Sequence, residues 1–183
     1  ITRRGQEHLV CQELSGRRDG IESARVASQT VEISAPSVEA LASLPLFFSA
    51  QLLPHCQKMT APSIKAWATG VLDFLVNHLP ETVPEWCLHV YDPASAESGR
   101  PYSRPQLIEK EIVALLKQKR RSLYRTLIPS ASDSSALVQL ALTSPGDGYI
   151  SVASPDLRAK FGAMISRHPA GHMRIQDDRR PPS

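Results

Sequence analysis

Residues Ala136 to Thr143 (ALVQLALT) are almost uniformly apolar. A run this short, with no polar alternation, reads as a central β-strand buried on both faces. A fold built around such a strand must supply covering elements for its sheet. The clearest of them spans residues 63–79. Pro62-Ser63 opens a helix in which Ile64, Trp67, Ala68, Val71, Leu72, Leu75 and Leu79 form one apolar stripe, the spacing of a helix laid on a sheet. Gly70 inside it costs about 1 kcal/mol relative to alanine, which points to close backbone packing.

The remaining elements follow the same logic. Gln6 to Leu14 reads as a short helix, followed by extended segments at 24–26 and 30–34, with Val31 and Ile33 alternating with polar residues. Val38 to Leu44 is a second short helix. Leu46 to Leu53, apolar on both sides, reads as a strand, and Gln57 to Thr60 as its continuation past Pro54. Trp86 to Tyr91 is a strand, Gln106 to Leu127 one long helix packing through Ile108, Ile112, Leu115, Leu116 and Leu123, and Gly148 to Ser154 a return strand after the turn Ser144-Pro145-Gly146-Asp147. From residue 46 the order is strand, helix, strand, helix, strand, strand. This predicts an α+β fold, α/β-like in its alternation, with a mixed sheet and helices packed on it. Residues 158–183 hold six Arg or Lys among scattered Gly and Pro and read as a basic linker without regular structure. The first residue is Ile1 and the last is Ser183, and the expectation is a fragment cut at both ends.

Composition excludes several functions. No apolar run reaches the 18 or so residues of a membrane span and no signal-peptide pattern opens the chain, so the expectation is a cytoplasmic protein with no membrane partner. Cys11, Cys56 and Cys87 are odd in number and widely spaced, which disfavours a disulfide framework. His55-Cys56 and Cys87-Leu88-His89 lack the close-spaced pairs that zinc requires, so no metal is expected and the cysteines read as structural. No glycine-rich phosphate loop and no nucleophile elbow occurs, so no catalytic residue is assigned.

Charge carries the positive signal. Between Arg100 and Arg125 stand eight basic residues and two acidic ones, whereas residues 30–99 hold two lysines against seven acids. Five cations, Lys117, Lys119, Arg120, Arg121 and Arg125, occupy nine positions, and Arg104 stands upstream. A helix C-terminus favours positive charge by about 0.3–1 kcal/mol per group, but five mutually repelling cations exceed what that requires. A polyanion such as RNA is the partner that suits them. With aromatic residues at 5% of the chain, a base-stacking platform is not expected. Tyr102 and Tyr124 read as packing residues. The alternative from another class is a non-enzymatic protein-interaction domain whose basic face meets an acidic protein.

Three segments carry a resemblance. Arg4-Gly5-Gln6-Glu7 with Glu13-Leu14, Leu44 to Gln51 (LPLFFSAQ), and Gly148 to Pro155 (GYISVASP) resemble the N-terminal part of the THUMP-containing bacterial 23S rRNA 2′-O-ribose methyltransferases of the RlmM-like family. Gly162, Arg167 and Pro182-Ser183 are similarly placed to that family's connection into its catalytic domain. The resemblance implies a partial ferredoxin-like domain over 1–53 lacking its first strand, a THUMP-like RNA-binding domain over 54–157, and a linker over 158–183. It further implies 23S rRNA as the structured RNA partner and a C-terminal Rossmann-type methyltransferase domain in cis. That domain would hold S-adenosylmethionine and the catalytic lysine; this chain would hold no cofactor. The segments depart from the family at polar positions, Val152-Ala153-Ser154 among them, which leaves the target nucleotide open.

Overall fold

The computed structural model describes residues 1–2, 4–15, 20–42, 46–47, 49, 51–79, 83–93 and 103–165. Seven-residue β5 (Ala136–Leu142) is buried at every position. It lies inside a four-stranded mixed sheet with β3 (Gln57–Thr60), β4 (Trp86–Tyr91) and β6 (Asp147–Ala153), in the order β3-β6-β5-β4. β4 runs parallel to β5, while β6 is antiparallel to both β5 and β3. This mixed sheet with packed helices is the α+β fold expected.

One face of the sheet is covered by α3 (Ile64–His78) and α4 (Arg104–Lys119). Ser63 caps α3 by accepting from the Ala66 N–H at 3.2 Å. Trp67, Val71 and Leu75 of α3 and Ile108, Ile112 and Leu116 of α4 are buried against Leu88, Val90, Val138, Leu140 and Ile150. The indole N–H of Trp67 donates to the Pro145 carbonyl at 3.3 Å, and that of Trp86 to the Leu123 carbonyl at 3.0 Å, so neither tryptophan is buried with an idle donor. A Cβ on Gly148 would stand 2.6 Å from the Ala141 carbonyl oxygen, and glycine is required there. Gly70 has a different neighbour from the one expected: the Met59 sulfur of β3, at 3.3 Å from a built Cβ, rather than backbone.

The opposite face belongs to the first third of the chain. Here α1 (Glu7–Ser15), the hairpin β1 (Glu22–Ala27) and β2 (Thr30–Ser34), and α2 (Val38–Ala42) gather a second core. Val10, Leu14, Leu41 and Leu52 meet Cys87, Leu137 and Ala153 from the sheet. Helix and hairpin are pinned together by Glu7, whose carboxylate accepts the Gln29 N–H at 2.6 Å. Gln29 is the hairpin residue with φ of 58°.

Three expectations are corrected. The described residues of the expected strand 46–53 (46–47, 49 and 51–53) join no strand of the sheet; Ser49 makes an isolated bridge to Thr2, and 51–54 lie across the sheet's far face. Gln51 bonds the Gln139 side chain, Gln139 Nε2 donates to the Leu52 carbonyl at 3.1 Å, and Ser151 Oγ donates to the Pro54 carbonyl at 2.5 Å. Side chains that stand perpendicular to the sheet take up these carbonyls, so the segment lies over the strands instead of beside one. The single helix 106–127 is two helices, α4 and α5 (Arg121–Arg125), broken at Arg120 with φ −142° and ψ 66°. The break lets the following residues reach β4: Trp86 donates its N–H to the Thr126 carbonyl at 2.9 Å and accepts from the Ile128 N–H at 2.8 Å.

The third correction concerns residues 158–165, read as linker. They continue α6 (Pro155–Phe161) and a short 3₁₀ turn (Gly162–Met164). Ser154 caps the helix by accepting from the Leu157 N–H at 3.3 Å, and Phe161 and Ile165 are buried. Arg158 fixes it by donating to the Ser132 and Ser135 carbonyls at 2.5 and 2.6 Å. The remainder of that stretch, 166–183, and the 43–44 end of the second expected helix lie outside the described residues.

Two outcomes test this architecture. Gln139→Ala strands the Leu52 carbonyl in the interior and is expected to cost about 1–3 kcal/mol, read as a lower urea midpoint with an unchanged slope. Hydrogen bonding from the Gln29 and its own backbone N–H holds the Glu7 carboxyl below its usual range. A depressed folded pKa gives stability that is present above the unfolded value of about 4.3 and is lost as pH falls through the folded one. Glu7→Gln is therefore expected to destabilise at pH 7 and to remove part of the loss of stability seen in urea titrations below pH 4.

Candidate nucleic-acid interface

The basic residues owe their arrangement to what α4 buries. The capping pair at its start, with the Ser103 N–H donating to Gln106 Oε1 at 3.1 Å, begins the helix in the register that turns Ile108, Ile112 and Leu116 inward. Lys117 and Lys119 then fall in its exposed last turn, Arg120 at the joint, and Arg121 and Arg125 on the exposed side of α5. All five are exposed. None makes an ion pair among the described residues, where Lys160 and Glu39 pair at 3.7 Å far along the sequence.

The stem of Lys119 could have packed beside Leu115 and Leu123; the residue is instead exposed. Tyr124 is half-buried against the core beside Leu123 and Leu127, as a packing residue should be, and the Lys117 amine lies over its ring, 5.1 Å from the centroid. Tyr102 lies outside the described residues. Arg104 does not join the group. It is the first residue of α4, so the helical rise puts it roughly 20 Å from Lys119. It is half-buried, and its Nε is enclosed without a hydrogen bond to the described residues.

Lys110 belongs with this surface, although charge clustering along the sequence does not single it out. It is exposed, and it stands seven positions before Lys117, two helical turns along the same face. The i, i+7 spacing is the signal that could have found it. Five cations in a compact surface and a sixth two turns away can neutralise several phosphates at once; nothing in the group offers a general base or a nucleophile.

A concavity lies elsewhere on the molecule. This cavity of about 460 Å³ is enclosed by β2, α2 and the segment 51–56, with Glu32, His55, Cys56 and Tyr149 among its walls. Tyr149 donates its hydroxyl to Glu32 at 3.0 Å, and burial together with that carboxylate pushes the phenol up to about 12. Partial desolvation and the Glu32 charge raise the Cys56 thiol although the residue is exposed, the opposite of the shift that activates a nucleophilic cysteine. Cys11, Cys56 and Cys87 form no disulfide. Among the described residues no group of three or more His, Cys, Asp or Glu side chains could hold a metal ion, and no helix is long and apolar enough to cross a membrane.

No protein-family profile matches the chain, and no curated protein does. Among solved structures, the chain is similar to the crystal structure of a predicted N6-adenine-specific DNA methylase from Listeria monocytogenes str. 4b F2365. The identity is 14% and the TM-score 0.48, over 82% of this chain and 38% of that one. The chain thus spans well under half the length of that protein.

Because the cations stand clear of the packed stripe, replacing Lys119, Arg120 and Arg121 together by glutamine is expected to change stability by no more than about 0.5 kcal/mol. Urea unfolding of both proteins, followed by circular dichroism, measures it.

Proposed function

We propose that this chain is the RNA-binding module of an S-adenosylmethionine-dependent RNA 2′-O-ribose methyltransferase of the cytoplasm, with 23S rRNA as its structured RNA. The cofactor and the catalytic lysine belong, in this reading, to a Rossmann-type methyltransferase domain joined downstream in cis. One observation carries the RNA part: five exposed cations within nine residues, unopposed by carboxylates among the described residues. The enzyme part is supported by the sequence resemblance of the segments 4–14, 44–51 and 148–155.

The chemistry of such a surface is positional. Lysine and arginine displace the counterions condensed on phosphates, so each phosphate engaged adds affinity that salt erodes. Folded RNA is read mostly through its backbone and shape, which needs an arranged set of cations and no aromatic platform. The module would bring RNA to the catalytic domain and leave the methyl transfer to it.

Filter-binding titrations of a structured rRNA fragment at several salt concentrations test the reading. The Lys119, Arg120 and Arg121 triple-glutamine variant is expected to bind more weakly, with the log–log salt slope flattened by roughly one for each phosphate no longer engaged. Arg104→Gln, remote from the group, should match the wild type. Equal affinity and slope for the triple variant and the wild type would overturn the reading and leave an acidic protein surface as the partner class.

A further inference from the structure

The basic surface is carried by two helices that meet at Arg120, and one contact spans their joint. Lys117 stands in the last turn of α4 and Tyr124 in α5, yet the lysine ammonium lies 5.1 Å from the centroid of the tyrosine ring. The ring is half-buried against the core. Its backbone is fixed on both sides, the Tyr124 N–H donating to the Arg120 carbonyl at 3.0 Å and its carbonyl accepting from the Leu127 N–H at 3.3 Å. The ring is thus the anchored partner of the pair, and the exposed lysine the one free to come to it. The attraction of a cation for the face of an aromatic ring occupies one side of the ammonium and leaves its other N–H donors available.

We infer that Tyr124 is a positioning residue: it holds Lys117 in place, joins the cations of α4 and α5 into one fixed array, and thereby favours RNA whose phosphates are already fixed by folding over flexible single strands. The inference rests on the RNA-binding reading above. A fixed array saves the ordering cost of association, and the saving is realised where the partner's charges are fixed too. A flexible strand adjusts to a loose array as readily as to a rigid one.

The test uses the full chain with two probes, a folded rRNA hairpin fragment and an oligouridylate of equal length, at several salt concentrations. Tyr124→Leu is expected to weaken binding of the folded fragment by about two- to fivefold, with the oligouridylate unchanged, while Tyr124→Phe, which keeps the ring face, matches the wild type. In a Lys117→Gln background, Tyr124→Leu should have no further effect. Should Tyr124→Leu not fold, Lys117→Gln alone is compared with Arg125→Gln, the same charge change away from the ring. The first should weaken the folded fragment more than the oligouridylate, the second both alike. Wild-type binding by Tyr124→Leu, or equal losses on both RNAs, would overturn the inference. The two readings fail separately: if the triple-glutamine variant loses RNA and the Tyr124 variants do not, positioning falls and RNA binding stands; if neither changes binding, both fall.

Discussion

Everything in this molecule is arranged around a strand that has no outside. Because every residue of β5 is buried, both sheet faces must be roofed, and two chemically different roofs result. The helical roof is apolar and continuous. The other crosses a polar seam: Gln139 and Ser151 are fully buried and must be answered by carbonyls and an amide from the segment 51–54. An unanswered polar group there would cost more than an apolar replacement, so the seam fixes where the first third of the chain sits as much as its hydrophobic packing does.

How much of this was legible depended on whether the deciding force was local. The helix 64–78 announced itself through its stripe, β5 through its lack of polarity, and β6 through the turn residues ahead of it. The break at Arg120 had no glycine or proline to signal it. It is imposed by Trp86, whose backbone and indole N–H claim carbonyls from residues 123 and 126. The segment 46–53 satisfies the composition of a strand, but the distant Gln139 and Ser151 draw its end, from Gln51 to Pro54, over the sheet. α6 was different, since Ser154-Pro155-Asp156 is a legible helix start that the basic composition of the tail obscured. The candidate surface was largely readable because charge clustering is a property of sequence. Its geometry was not: helix length sets Arg104 apart from the group, and helix phase puts Lys110 on the face of Lys117.

The basic cluster of the sequence becomes an exposed surface of α4 and α5 through the same packing. The α4 stripe of Ile108, Ile112 and Leu116 is buried against the sheet, which turns Lys110, Lys117 and Lys119 to solvent, where they make no ion pair among the described residues. Across the sheet, the carboxylates of Glu7 and Glu32 are engaged by Gln29 and Tyr149. These two carboxylates help hold the first third of the chain together, while the cations of α4 and α5 stay exposed.

The order β3-β6-β5-β4 carries one more consequence, for the assembly of the molecule. The two strands made first, β3 and β4, are the sheet's opposite edges, and they share no hydrogen bond. Nothing can join them until the last hairpin, β5 and β6, arrives to fill the gap. Until then α3 and α4 have no floor to rest on, and the amide of Leu52 lacks the Met164 carbonyl it meets at 2.7 Å, more than a hundred residues later. Such long-range closure makes folding slow and the unfinished chain adhesive. A nascent polypeptide of this kind leaves the edges of β3 and β4 unpaired, and it is vulnerable until β5 and β6 have been synthesised.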